Sequence, residues 1–458
     1  MNLKELKFHL TPDQVVTDSD LLTLYGQDWL KQWNGKAGAV VFPKSTEDVV
    51  HIVNWAKSHK ISLIPSGGRT GLSGGATALK GELVVSFDKM NHLSDFNPVE
   101  QTVLVEPGVV TQTLQEFALE RDCFFPVSFA AEGSSQIGGN IATNAGGVHV
   151  IRYGTMRQSV LGLEVVTGEG KVLNLGRGLI KNATGYNLMN LFIGSEGTLG
   201  FITKALIKLL SPPPKDPLVF LFSVENKSHI PKLYQHFKTQ IAPMAFEMFT
   251  DKALNHVMES SDAVFPLENR SPFYILMEIE ESDKEKAFDL FEKALNDNLL
   301  QDGTLSQNQT QARELWKFRE NITESLSEHQ PYKNDICVRT SVMVEFLDEV
   351  EECLKKQYPE FEVIWFGHIG DGNLHINILK PKNLEKDSFL KQCEKASAIL
   401  FSLVKKYQGT ISAEHGIGLL KKPYLNYTRS EEEIELMKKI KRVFDPDGIL
   451  NPGKIFDL

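Results

Sequence analysis

Residues 65–76 read PSGGRTGLSGGA and follow Ile61–Pro65, a short apolar run with strand character. A strand that runs directly into so many glycines brings backbone, not side chains, up to whatever lies beyond it. Three further stretches share the make-up: EGSSQIGGNIATNAGGV at 132–148, RYGTMRQSVLGLEVVT at 152–167 and GSEGTLGFITK at 194–204. Each mixes glycine with Ser, Thr and Asn and carries almost no charge. Successive N–H groups in such loops form a concavity for an anion such as a pyrophosphate. One loop of this kind is simply a turn. Four of them between residues 65 and 204 point to a large phosphate-bearing cofactor. Neither GxGxxG nor GxxxxGK[ST] occurs, which counts against a nicotinamide-binding Rossmann domain and a P-loop NTPase.

Working outward, glycine divides the chain: 25 of the 34 fall before residue 201, none lies between Gly200 and Gly303, and nine come later. The 458 residues exceed one compact core, so more than one domain is expected. Ser211-Pro212-Pro213-Pro214, with Pro217 close by, marks the boundary, because three prolines continue neither a helix nor a central strand. The spacing predicts a helix over 45–58, capped by Ser45, and strands over 83–87 and 102–106. Past the boundary it predicts strands over 218–224 and 273–280 and helices over 284–296 and 313–328. The expected architecture is α+β: a first domain over 1–212, a second, an antiparallel sheet backed by helices, over 213–444, and a segment 445–458 that packs back on the first.

Residues 366–377, FGHIGDGNLHIN, carry the second chemical signal. Val363–His368 is apolar and β-prone, Gly370-Asp371-Gly372 is a turn, and Asn373–Leu379 alternates, so a hairpin folds His368 back toward His375. Period two places His375 and Asn377 on one face and Leu374, Ile376 and Ile378 on the other. With Glu414 and His415 further on, the chain offers imidazoles and a carboxylate for one divalent metal and one proton acceptor. Satisfied histidines in an ordinary turn are the alternative reading of the same residues. Arg319 and Thr323, four apart on the expected helix, share a face where both can meet one carboxylate. A surface arginine paired with a nearby Glu fits that spacing equally well, and an exposed lysine is the ordinary reading of Lys333.

A net charge of −10 gives no nucleic-acid surface and no pull toward anionic membranes. Cys123, Cys337, Cys353 and Cys393 lie far apart without a CxxC pair, against a four-cysteine iron–sulfur site or a disulfide framework. MNLKELKFHL has no apolar signal core. The expectation is a cytoplasmic protein, at most peripheral to a membrane.

The loops above, with NATGYNLMNLFIGSEGTLGFIT, GHIGDGNLHINI, SAEHGIG and ILNPGKI, resemble the FAD-linked D-2-hydroxyacid dehydrogenases of the vanillyl-alcohol-oxidase-type flavoprotein superfamily. The likeness covers nearly all of the chain after the first thirty residues. SPFYILMEIE, DGTLSQNQTQARELWKFRENITESL and the lysine of YKNDI bring it nearest to the D-2-hydroxyglutarate branch.

What the resemblance implies can be placed residue by residue. Ser66, Gly67, Gly68, Arg69, Thr70, Gly71 and Gly74 would hold the FAD pyrophosphate. Gly138, Gly139, Asn140, Thr143 and Gly147 would lie along the cofactor, with Gly197, Ile202 and Asn451 also touching it. Some relatives bind flavin covalently through a histidine in the first loop; this chain has Arg69 and no histidine there, so non-covalent FAD is expected. His368, His375 and Glu414 match the metal ligands, for which zinc leads and manganese or cobalt are alternatives. His415 matches the general base. Arg319, Thr323, Lys333 and Asn377 match substrate-binding positions, and a second cationic anchor favours a dicarboxylate.

The implied reaction is oxidation of D-2-hydroxyglutarate to 2-oxoglutarate. The metal polarises the hydroxyl, His415 takes its proton, and hydride passes to flavin N5. Electrons then leave to an electron-transfer flavoprotein or a quinone, and a homodimer is a further expectation. One departure bears on the substrate: after Lys333 the chain reads NDICVR, without the serine and proline usual in that branch. Two rival readings stand beside this one. The first is a D-lactate dehydrogenase or the flavin subunit of a glycolate oxidase. The second is a non-catalytic flavin-binding assembly protein.

Overall fold

Strand Leu63–Ser66 lies parallel to Leu83–Ser86, with Leu63 opposite Leu83 and Ser66 opposite Ser86, and then releases the chain into the first glycine loop. The computed structural model describes residues 3–213 and 217–458. Met1, Asn2 and, at the expected boundary, Pro214 therefore lie outside the described residues. The chain divides into two units. The first is Met1–Gly147, Gly154–Pro212 and Glu414–Leu458; the second is Val148–Tyr153 and Pro213–Ala413.

In the first unit, Ala39–Val41 pairs parallel with the other side of Leu83–Ser86, and Val15–Val16 adds an antiparallel edge. Helix Thr46–His59 covers this sheet. The Ser45 side chain caps it by accepting the Asp48 N–H at 3.2 Å, and Val49, Ile52, Val53 and Ala56 are fully buried in one stripe. A second, antiparallel sheet of five strands runs in the order 93–97, 102–105, 200–208, 160–167, 172–175. Helices Thr111–Leu119 and Ile137–Thr143 bury Leu114, Ala118, Ile137 and Ile141 against it.

The expected second domain ran to residue 444, whereas here the chain rejoins the first unit from Glu414 onward. Long-range contacts hold it there. Phe444 meets Phe192 edge-on at 5.0 Å, and the buried Lys441 donates to the Thr198 carbonyl at 2.7 Å and to Asp445 at 2.6 Å. Leu63 donates its N–H to Ile449 at 2.8 Å and accepts from the Asn451 N–H at 2.8 Å. The last segment thus extends the first sheet beside the glycine loop.

The second unit is built on seven strands in the order 302–305, 218–224, 273–279, 245–250, 363–367, 373–378, 332–337, every pairing antiparallel. On one face Phe222 stacks on Phe237 of helix Ile230–Lys238 at 5.5 Å and on Phe291 of helix Lys284–Asn296 at 5.7 Å. On the other, Phe249, Tyr274, Leu276 and Phe366 pack under Leu315, Trp316 and Phe318 of helix Gln309–Glu320. That helix differs from the continuous one expected over 313–328. It begins earlier, because Asn308 accepts the Gln311 N–H at 3.0 Å as a cap. It ends at Glu320, Asn321 follows as a turn at φ −74° and ψ −6°, and a separate short helix spans Ile322–Ser325. Among the described residues no helix is long and apolar enough to cross a membrane. Among the described residues no disulfide joins any of the four cysteines.

Candidate functional site: a dinucleotide cradle and a polar sheet end

The first unit contains an open cleft lined in large part by the glycine loops. Gly67, Gly68, Arg69, Thr70 and Gly71 of the first loop form one part of it. Gly138, Gly139, Asn140 and Thr143 form a second, and Gly197 with Ile202 a third. Gly68 could not be another residue: a Cβ there would lie 2.0 Å from the Ser134 carbonyl oxygen. Gly147, at φ +143°, presses on the Ser128 backbone in the same manner. Arg69 is turned to φ 59°, donates to the Gly67 carbonyl at 3.0 Å and lies over the Tyr25 ring at 4.2 Å.

The wall chemistry suits a flavin dinucleotide. Phe87 and Phe201, with ring centroids 6.1 Å apart, supply an apolar stretch. Ser66 Oγ and Gln136 Oε1 are buried beside the loops without a hydrogen-bond partner among the described residues. Gln136 lines the cleft and is held by its Nε2 donating to Asp88 at 2.7 Å. Such orphaned polar atoms are costly unless a ligand or water completes them.

Two residues tie the cradle together. Asn451 donates from Nδ2 to the Gly75 carbonyl at 3.0 Å and to the Glu196 carbonyl at 2.7 Å, joining the first and last glycine loops. The Glu196 carboxylate accepts the N–H of Ile417 at 2.8 Å and of Gly418 at 2.9 Å. Glu196 is buried, which pushes its pKa up, while those two amides pull it down. It thereby pins the turn that follows His415, and His415 itself lines the cleft. Behind the first loop, Asp28 accepts the Gly74 N–H at 2.6 Å, and burial raises its pKa to about 6.

In the second unit, the sheet end nearest the hairpin is polar on one face. Phe366 pairs with His375, Asp335 with His375, Lys333 with Asn377, and Cys337 with Asn373. Alternation puts these side chains on a common face, as expected for His375 and Asn377. His368, just past the strand Val363–Gly367, turns its ring edge-on to His375, with centroids 5.4 Å apart. Ring nitrogens of the two lie within 4.8 Å of each other. Glu247, 1% exposed, sits behind His368, with its carboxylate 2.9 Å from Nδ1. The same carboxylate is 2.9 Å from Nη2 of Arg319. Burial pushes Glu247 up, and the charges of His368 and Arg319 more than reverse this, so its carboxyl stays below its ordinary value. Asp335, also 1% exposed, lies 3.8 Å from His375 Nδ1, accepts from Asn373 Nδ2 at 2.8 Å and accepts the Ala413 N–H at 3.2 Å.

Donors without acceptors complete this face. Arg319 Nε and Asn377 Nδ2 are buried with no hydrogen-bond partner among the described residues. Burial holds the Lys333 ammonium below its ordinary pKa. Unmatched donors and a cation on one buried face call for an anion, and a carboxylate has the geometry for Arg319. Imidazoles backed by carboxylates present their other nitrogen to a metal, so the donor set also fits a divalent cation.

His368, His375, Asn377, Lys333 and Arg319 are thus brought together in the second unit. Thr323 lies beyond the helix break and is exposed, whereas Arg319 is buried. Glu414 and His415 belong to the first unit and follow directly on Ala413. The sequence reading missed Glu247, Asp335, Glu196 and Asp28. For Glu247 a signal existed: it is the one charge in the apolar run MAFEMF at 244–249.

Residues 37–176 match the family model described as FAD binding domain, and residues 214–455 match FAD linked oxidases, C-terminal domain. A D-2-hydroxyglutarate dehydrogenase from Stutzerimonas stutzeri is 50% identical over 99% of this chain and 98% of that protein. Another, from Xanthomonas citri pv. viticola, is 46% identical over 94% and 92%. Among solved structures, 4-ethylphenol oxidase from Gulosibacter chungangensis superposes with a TM-score of 0.77 at 18% identity, covering 99% of this chain and 97% of that one. At that identity the likeness speaks for the fold alone.

Proposed function

The chain belongs to the FAD-linked oxidases, and on that premise we propose that it oxidises D-2-hydroxyglutarate to 2-oxoglutarate with FAD and a divalent metal. It is an FAD-dependent oxidoreductase acting on a CH–OH donor, as its half-identical relatives are named. The observation that carries the choice of substrate is the pair of unmatched donors, Arg319 Nε and Asn377 Nδ2, beside the half-buried Lys333 ammonium. Two cations on one face suit a substrate with two carboxylates. A D-lactate or glycolate reading uses the same metal residues but leaves the Lys333 ammonium without a substrate carboxylate.

His368 and His375 are the proposed metal ligands, with Glu414 as the third. Glu414 is bonded to Ala413, whose N–H is anchored on Asp335 beside His375, so chain connectivity supports it. Zinc suits this nitrogen–oxygen set, and manganese or cobalt are the alternatives. Bound FAD would supply the hydride acceptor, and the metal the Lewis acidity that brings the hydroxyl proton within reach of an imidazole. His415 takes the proton from the C2 hydroxyl oxygen, imidazole being the side chain best suited to general-base work near neutral pH. Arg319, Lys333 and Asn377 bind and orient the carboxylates. An electron-transfer flavoprotein or a quinone is the proposed acceptor, since the chain carries no nicotinamide fingerprint.

The test is anaerobic. Purified protein carrying FAD should lose its yellow colour on adding D-2-hydroxyglutarate, and much more slowly with D-lactate at equal concentration. Equal rates would remove the dicarboxylate reading.

A further inference from the structure

Glu247 occupies a position that the proposed reaction does not itself require. It lies on strand Ala245–Thr250, whose pairing of Met248 with Gly367 brings it level with His368. Its side chain is 1% exposed, and two neighbours hold the carboxylate, although Oε2 itself makes no hydrogen bond among the described residues. One is Nδ1 of His368 at 2.9 Å; the other is Nη2 of Arg319 at 2.9 Å. A carboxylate facing Nδ1 fixes the proton there and leaves Nε2 as the lone-pair nitrogen, oriented and made more basic. The contact to Nη2 fixes one prong of the guanidinium, stacked 4.9 Å from the Phe366 ring, and leaves the buried Nε without an acceptor.

We propose that Glu247 is a positioning residue shared by the metal ligand His368 and the substrate anchor Arg319, so that metal affinity and substrate affinity are linked through one carboxylate. The inference rests on the proposed metal-dependent reading. It assigns Glu247 no contact with substrate or flavin. Its consequence is a difference of sign between two substitutions. Removing the carboxylate deprives His368 of its orienter and weakens the metal. Removing the Arg319 cation leaves the carboxylate to His368 alone and removes a positive charge near the metal, so the metal binds as tightly or more tightly.

The experiment is zinc binding by the FAD-loaded full chain, measured by competition with a chromophoric chelator in the wild type, Glu247→Gln and Arg319→Met, with flavin absorbance recorded in each. Glu247→Gln preserves size but sets an amide N–H₂ against one of two donors. It should bind zinc roughly 10–100-fold more weakly, with flavin content unchanged. Arg319→Met should bind zinc at least as tightly as wild type while its KM for D-2-hydroxyglutarate rises. Glu247→Asp, if Glu247→Gln proves poorly folded, should recover part of the zinc affinity. Wild-type zinc affinity in Glu247→Gln, or a parallel loss in both variants, would overturn the shared role while leaving the metal-dependent reading intact. Absence of zinc binding by the wild type would overturn both.

Discussion

Asn451 donates from its side-chain nitrogen to the backbone carbonyl of Glu196 at 2.7 Å, across 255 residues of sequence. The same nitrogen reaches Gly75, so one amide near the C-terminus closes the glycine cradle. Asn451→Ala should therefore release FAD more readily, by about tenfold for each roughly 1.4 kcal/mol lost. Asn451 has φ 42°, so Asn451→Gly separates backbone strain from the lost amide. Fluorescence of FAD released on dilution measures it; both variants holding FAD like wild type would remove Asn451 from the cradle.

Glu196 acts one step further along. Glu196→Ala strips the acceptor from the N–H groups of Ile417 and Gly418, at a cost of about 1–3 kcal/mol for a buried donor left unmatched. Thermal unfolding should show the loss, and flavin reduction should slow because the turn after His415 loosens. An unchanged melting temperature and rate would mean that the turn is held without Glu196.

Asp28 predicts a pH dependence. Its folded pKa, about 6, lies above the ordinary 3.8, so its stabilising contribution is complete below pH ~4 and is lost as pH rises through ~6. Asp28→Asn lacks that titration. Relative to wild type, the variant should gain stability between pH 4.5 and 7, up to about 3 kcal/mol for a shift of two units. The measurement is the difference in melting temperature across that range; a constant difference contradicts it.

His415→Ala should keep its flavin and its metal yet reduce flavin about 10²–10⁴-fold more slowly, the usual cost of losing a general base. Stopped-flow bleaching reads this directly. Reduction at the wild-type rate would place the base elsewhere.

Lys333→Ala should raise KM for D-2-hydroxyglutarate by about tenfold or more, as loss of a charged hydrogen bond does, and affect D-lactate far less. Steady-state assays with both substrates decide it. Equal losses would show that the ammonium does not grip the second carboxylate.

Much of this was legible in the residues because it is local. Ser45 with Asp48, the Gly370–Gly372 turn and the alternation around His375 each depend on neighbours a few positions away, and each formed as expected. What was not legible depends on contacts made across the fold. Glu247 meets His368 across 121 positions and Glu196 meets Ile417 across 221, and no local pattern encodes either pairing. The helix break at Asn321 was lost in a stretch whose apolar spacing runs on through it, and with it went the idea that Arg319 and Thr323 share one helical face.

The most direct measurement is an anaerobic titration of the flavin-loaded chain with D-2-hydroxyglutarate, before and after removal of divalent metal by a chelator. The account predicts full bleaching before, little after, and recovery on adding zinc or manganese. Undiminished bleaching by the metal-free protein would contradict it.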